Sequence, residues 1–193
     1  EAQGRSIVHM EIGEPDFVTP QPVIDAGIRA LQDGYTHYTP AVGLQALRER
    51  IAEFYRQRYD VNVEPRRIVI TPGASAALQL AMAVLVNPGD RVLMADPGYP
   101  CNRNFVYLLN GQPLGIPVTA ATAYQPTPQH VREYWTEAVT ALLVASPSNP
   151  TGTLLGENKL REFHAIAAAQ GGSLIVDEIY HGLVYEGQEH SIL

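Results

Sequence analysis

From residue 67 onward, short unbroken apolar runs alternate with stretches of helical period. The runs are RIVIT (67–71), RVLMA (91–95), PLGIPV (113–118), ALLVA (141–145) and SLIVD (173–177). None interleaves polar positions, so each reads as a strand buried on both faces. Between them helices are predicted near 74–86, 101–110, 128–138 and 157–170. Strands and helices in alternation call for a parallel sheet covered on both sides, which makes the class α/β. Upstream, after an extended start, the pattern is helical. TPQPVIDAGIRALQDG places Pro22 in a first turn, Val23, Ile24, Ile28 and Leu31 on one face, and Gly34 as terminator. GLQALRERIAEFYRQRY repeats the spacing through Leu44, Leu47, Ile51, Phe54 and Arg58.

Composition narrows the picture without changing it. The 193 residues are 46% apolar and 17% charged, ordinary values for one globular domain with a sizeable core. A net charge of −7 argues against nucleic-acid or anionic-membrane partners, which need clustered Lys and Arg. Cys101 is the single cysteine, so no intrachain disulfide can form, and a reducing, cytoplasmic setting is expected. No apolar run is long enough for a membrane helix, the N-terminus lacks the layout of a signal peptide, and the histidines show no paired metal-ligand spacing. No metal is assigned.

Chemistry gathers where the strands end. In an open parallel sheet, ligands bind beyond the carboxyl ends of the strands. Those ends carry TPGASAAL, DPGYP, SPSNPTG and DEIY, four turns on one edge. Gly73, Ala74 and Ser75 open an Ala-rich helix with free backbone N–H groups, which suits an anion, although an ordinary helix start would read the same way. Neither GxxxxGK nor GxGxxG is present, which removes the main support for a nucleotide. NPTG could be a plain tight turn, or could hold Asn149 rigidly between Pro147 and Pro150 as an amide donor. Tyr99 could be surface filler or a flat stacking face; Cys101 beside it reads as apolar filler. Asp177 continues an apolar strand into the same cleft, and burying its charge there requires a cationic partner. Glu178 reads as a solvated strand end. A planar ligand with a phosphate at one end and a ring nitrogen at the other would satisfy every turn.

These pieces resemble the aspartate aminotransferase family of pyridoxal-phosphate enzymes with the type I fold. The matching segments, in order, are IGEPDF, HYTPAVGLQALR, TPGASAAL, DPGYP, SPSNPTG and DEIY. The resemblance implies a three-layer α/β/α large domain with a mostly parallel sheet, incomplete in this chain, over residues 21–193, with residues 1–20 belonging to a small domain. It implies pyridoxal 5'-phosphate as cofactor, with Asp177 on the protonated pyridine nitrogen, Tyr180 and Asn149 on the ring's phenolic oxygen, and Tyr99 stacked on its face. Ala74 and Ser75 would hold the phosphate. Tyr38 would reach the phosphate of the other subunit, which implies a homodimer, and Gly13, with Asn149, would meet the substrate.

The implied activity is transfer of an amino group between an L-amino acid and a 2-oxo acid. Other reactions of the same scaffold, a β-lyase or an aminocyclopropane-carboxylate synthase, fit these residues equally. A further alternative is the aminotransferase-like effector domain of a transcription regulator; another is a cofactor-binding protein without catalysis. The family's Schiff-base lysine follows DEIY at a distance, and no matching segment is present here. Lys159, the sole lysine, reads as a solvated residue of a helix, so the catalytic residue is unknown and the chain alone is expected to be inactive. In the family's sheet, two strands from beyond residue 193 lie between 67–71 and 173–177.

Overall fold

The computed structural model describes residues 4–9 and 13–193, so Ile12 of the IGEPDF segment lies outside the described residues. The chain divides into two compact units, Glu1–Pro40 and Ala41–Leu193. The regular element of the first is α1 (Gln21–Gln32), with Pro22 in its opening turn as the sequence implies, and no residue of that helix is buried.

The second unit begins with α2 (Gln45–Tyr59) and then alternates α3 (Ala74–Leu85), β1 (Arg91–Asp96), α4 (Pro100–Leu108), β2 (Gln112–Pro117), α5 (Pro128–Tyr134), β3 (Val139–Ala145), α6 (Glu157–Ala169) and β4 (Ser173–Asp177). The four strands form one parallel sheet in the order β2-β1-β3-β4. Successive residues of a strand face opposite sides, and both sides are apolar here. Val92, Met94, Ala141 and Leu143 pack with Leu78 and Met82 of α3 and Val106 of α4. Leu93, Leu142 and Val144 pack with Val131 of α5 and Leu160, Phe163 and Ile166 of α6. Helices therefore cover both faces, giving the expected three-layer α/β/α arrangement.

Two expectations need correction. RIVIT, read as the first strand, forms none: a 3-10 turn occupies Pro65–Arg67, and Ile68 is extended but unladdered. The Ile70 N–H donates to the Val42 carbonyl at 3.1 Å. A strand exists only by pairing, and no strand of the described residues lies beside this run. The fifth helix also stops earlier than 138. Trp135 leaves the helical region at ψ 105° and packs partly buried against the core, while the Ala138 carbonyl accepts from the Arg91 N–H at 2.7 Å, drawing the chain into β3. The helix instead gains a cap at its start, where the Thr127 hydroxyl accepts the His130 N–H at 3.2 Å.

Candidate active site

The carboxyl ends of β3 and β4 and the start of α3 enclose a cleft of about 200 Å³. Six residues singled out in the sequence line it: Ala74, Ser75, Tyr99, Asn149, Asp177 and Tyr180. They come from four separate turns, three leaving the carboxyl ends of β1, β3 and β4 and the fourth opening α3. Gly13 and Tyr38 belong to the first unit and are both exposed.

The α3 end of the cleft is shaped for an anion. Gly73 precedes the helix at φ 87° and ψ 168°, a left-handed setting that side chains resist. No side chain caps α3 and no acidic residue sits in its first turn, so its first N–H groups and the positive end of its dipole are left for a ligand. At the other end is Asp177. Its Oδ1 accepts the Ile179 N–H at 3.1 Å, and its own carbonyl accepts the Ser146 N–H at 3.0 Å, tying β4 to the loop after β3. Among the described residues no Lys, Arg or His forms an ion pair with this half-buried carboxylate, so a cationic ring nitrogen would complete it.

The SPSNPTG loop is more than a tight turn. The Ser148 N–H donates to the Thr153 carbonyl and the Gly152 N–H to the Ser148 carbonyl, at 3.0 and 2.7 Å. Ser146 is fully buried, and its Oγ accepts the Leu155 N–H at 2.9 Å. Held this way, Asn149 donates from Nδ2 to the Tyr180 hydroxyl at 3.3 Å, so the two side chains expected on one ligand oxygen are neighbours. Tyr99 stands beside them on a turn that needs Gly98, since a Cβ there would lie 2.6 Å from the Ala95 carbonyl oxygen. The adjacent Cys101 thiol, then slight burial and the neighbouring Tyr180 and Asp177 side chains, push the Tyr99 phenol above its ordinary pKa. It therefore remains a neutral, flat face at physiological pH. Lys159 sits in the first turn of α6, half-buried, and does not line the cleft.

The sequence gives little sign of Gln125. It is almost completely buried, and its Nε2 donates to the carbonyls of Ala145 and Thr153 at 3.0 and 3.1 Å, bracing the Asn149 loop from behind. Its one signal is an amide side chain placed just before the Pro126-Thr127-Pro128 turn. Glu178 needs correction as well. Its side chain is only 13% exposed, because its oxygens accept the Ser191 hydroxyl at 3.1 Å and the Ile192 N–H at 2.8 Å. A segment 13 residues downstream supplies the donors that water was expected to provide.

Residues 5–192 match the family model of aminotransferase class I and II. The chain belongs to this family. Among curated aminotransferases it is 38% identical, over its whole length, to (5-formylfuran-3-yl)methyl phosphate transaminase of Methanocaldococcus jannaschii, covering 49% of that protein. It is 40% identical over 94% of its length to valine--pyruvate aminotransferase of Mycobacterium tuberculosis, covering 46% of that protein. A single mutant of aspartate aminotransferase of Thermus thermophilus superposes on 99% of the chain with a TM-score of 0.95 and 34% identity, the match covering 50% of that structure. The chain thus spans about half the length of the aminotransferases it matches.

Proposed function

We propose that this chain is the cofactor-holding N-terminal half of a pyridoxal-phosphate-dependent aminotransferase acting on an L-amino acid and a 2-oxo acid. The observation that carries the reading is the convergence of Ala74, Ser75, Tyr99, Asn149, Asp177 and Tyr180 on one cleft. The residues fit the cofactor in chemical kind: an uncapped helix start for phosphate, a neutral aromatic face, an amide and phenol pair, and a carboxylate without a cation. When bound, pyridoxal phosphate supplies an electron sink for the substrate's α-carbon.

Each residue has a task set by its position. The N–H groups of Ala74 and Ser75 and the Ser75 hydroxyl hold the phosphate dianion, since aligned amides favour negative charge at a helix start. Asp177 holds a proton on the pyridine nitrogen through a charge-assisted bond worth about 1.5–3 kcal/mol. Asn149 and Tyr180 would hold the ring's phenolic oxygen, and Tyr99 would cover one face. Tyr38 reaches the phosphate in the other subunit of a homodimer, and Gly13 meets the substrate carboxylate. The lysine that joins the cofactor lies outside these residues. A cytoplasmic enzyme fits the lone cysteine; among the described residues no helix is long and apolar enough to cross a membrane. The activities of these relatives favour amino-group transfer over elimination.

The test is Asp177→Ala in the complete protein. Transamination should fall by about a thousandfold or more while part of the cofactor stays bound, because the phosphate site is untouched. Full activity in this variant with pyridoxal phosphate added refutes the assignment.

A further inference from the structure

Tyr180 sits on a stretch with no regular structure, yet its phenol must be held against Asn149. The hydrogen bonds inside that stretch are local: the His181 N–H donates to the Glu178 carbonyl at 2.9 Å and the Leu183 N–H to the Tyr180 carbonyl at 3.1 Å. Bonds of this kind fold the turn without fixing where it sits against the sheet. Besides the Asn149–Tyr180 bond, the restraints that reach elsewhere centre on one carboxylate. Glu189 Oε2 accepts the Gly182 N–H at 2.6 Å. Its Oε1 accepts Arg58 Nε and Nη2 at 3.1 and 2.5 Å and the Tyr59 hydroxyl at 3.2 Å. That hydroxyl also lies 2.9 Å from His181 Nδ1.

One carboxylate therefore couples the C-terminal turn of α2 to the two residues that follow Tyr180. It is only 10% exposed. Burial pushes its pKa up, but the Gly182 N–H, Arg58 and the nearby His181 outweigh burial and hold it below the ordinary carboxylate range, so it is charged at neutral pH. Glu178 closes the circuit, since its carboxylate accepts from Ser191 and Ile192 just after Glu189.

We propose that Glu189 is a positioning residue for Tyr180: through Gly182 and the Tyr59–His181 pair it sets where the phenol stands in the cleft. This rests on the cofactor reading above. In that reading, a displaced Tyr180 changes the electronics of the bound cofactor, which a merely structural bond would not.

The experiment uses the complete protein with pyridoxal phosphate, as unmodified protein, Glu189→Gln, Tyr180→Phe and the double variant. Four quantities are read: kcat, KM, the melting temperature and the pH midpoint of the cofactor's visible absorbance change. Glu189→Gln is expected to lower kcat about tenfold with KM changed less than about threefold, and to move the pH midpoint in the same direction as Tyr180→Phe. The double variant should be no worse than Tyr180→Phe, because coupled residues do not add. A lower melting temperature with unchanged midpoint and kcat overturns the proposal, as does strict additivity. If Glu189→Gln does not fold, Tyr59→Phe removes one donor to the same carboxylate and should give a smaller shift in the same direction; no shift overturns the proposal. Unmodified protein lacking any cofactor absorbance overturns the cofactor reading itself, and this inference with it.

Discussion

Helices α2 and α6 carry apolar residues at the same helical spacing, and the structure treats them differently. In α6, Leu160, Phe163, Ile166 and Ala167 are all buried against the sheet. In α2 no residue is buried, and Phe54 remains 51% exposed with Leu47 also open. The apolar runs divide likewise: SLIVD forms β4 beside β3, whereas RIVIT has no ladder. An apolar pattern records that a face is meant to be covered. Whether this chain covers it depends on long-range pairing, and that is where the two halves of the second unit part company.

The largest effect should come from α6. Phe163→Ala empties a fully buried site and should cost about 3–5 kcal/mol in urea unfolding of the complete protein. Phe54→Ala should cost much less, its ring keeping mainly edge contacts to Tyr55 and Tyr59. A Phe54 loss as large as that of Phe163 would show that residues beyond 193 cover α2, and would end the contrast.

A second prediction tests the braced side of the cleft. Gln125→Leu strips donors from two half-buried carbonyls, and should cost about 1–3 kcal/mol while weakening cofactor retention through the loosened Asn149 loop. Equilibrium dialysis of the cofactor and a thermal melt check it together. Stability falling with retention unchanged would separate the brace from the site.

The smallest effect concerns the C-terminal segment. The pKa of Glu189 is lowered on folding, so its stabilisation is present above the unfolded value and is lost as pH falls through the folded one. Unmodified protein should out-melt Glu189→Gln at pH 7 by on the order of 1 kcal/mol, since Arg58 is partly exposed and screened, and the gap should narrow as pH falls below the ordinary carboxylate range. A gap that does not narrow at all on acid titration would mean the charge is not what holds the segment.

Much of this was legible in the sequence, for identifiable reasons. RVLMA, ALLVA and SLIVD were readable as strands because burial on both faces leaves an unbroken apolar run, and DPGYP, SPSNPTG and DEIY could be placed on one edge because a parallel sheet sends every strand end the same way. What escaped depends on distant partners. RIVIT looks like SLIVD until a pairing strand is sought. Glu178 looks solvated until Ser191 and Ile192 fold back on it. Gln125 has no periodic signature at all, since its role comes from two carbonyls 20 and 28 residues away.

The central claim is that one cleft holds pyridoxal phosphate with its phosphate on α3 and its ring nitrogen on Asp177. A crystal structure of the complete protein with the cofactor tests this most directly. The account predicts phosphate oxygens within hydrogen-bonding distance of the Ala74 and Ser75 N–H groups, and the pyridine nitrogen on the Asp177 carboxylate with Tyr99 against the ring. Cofactor density outside this cleft, or a ring nitrogen with no contact to Asp177, would contradict it.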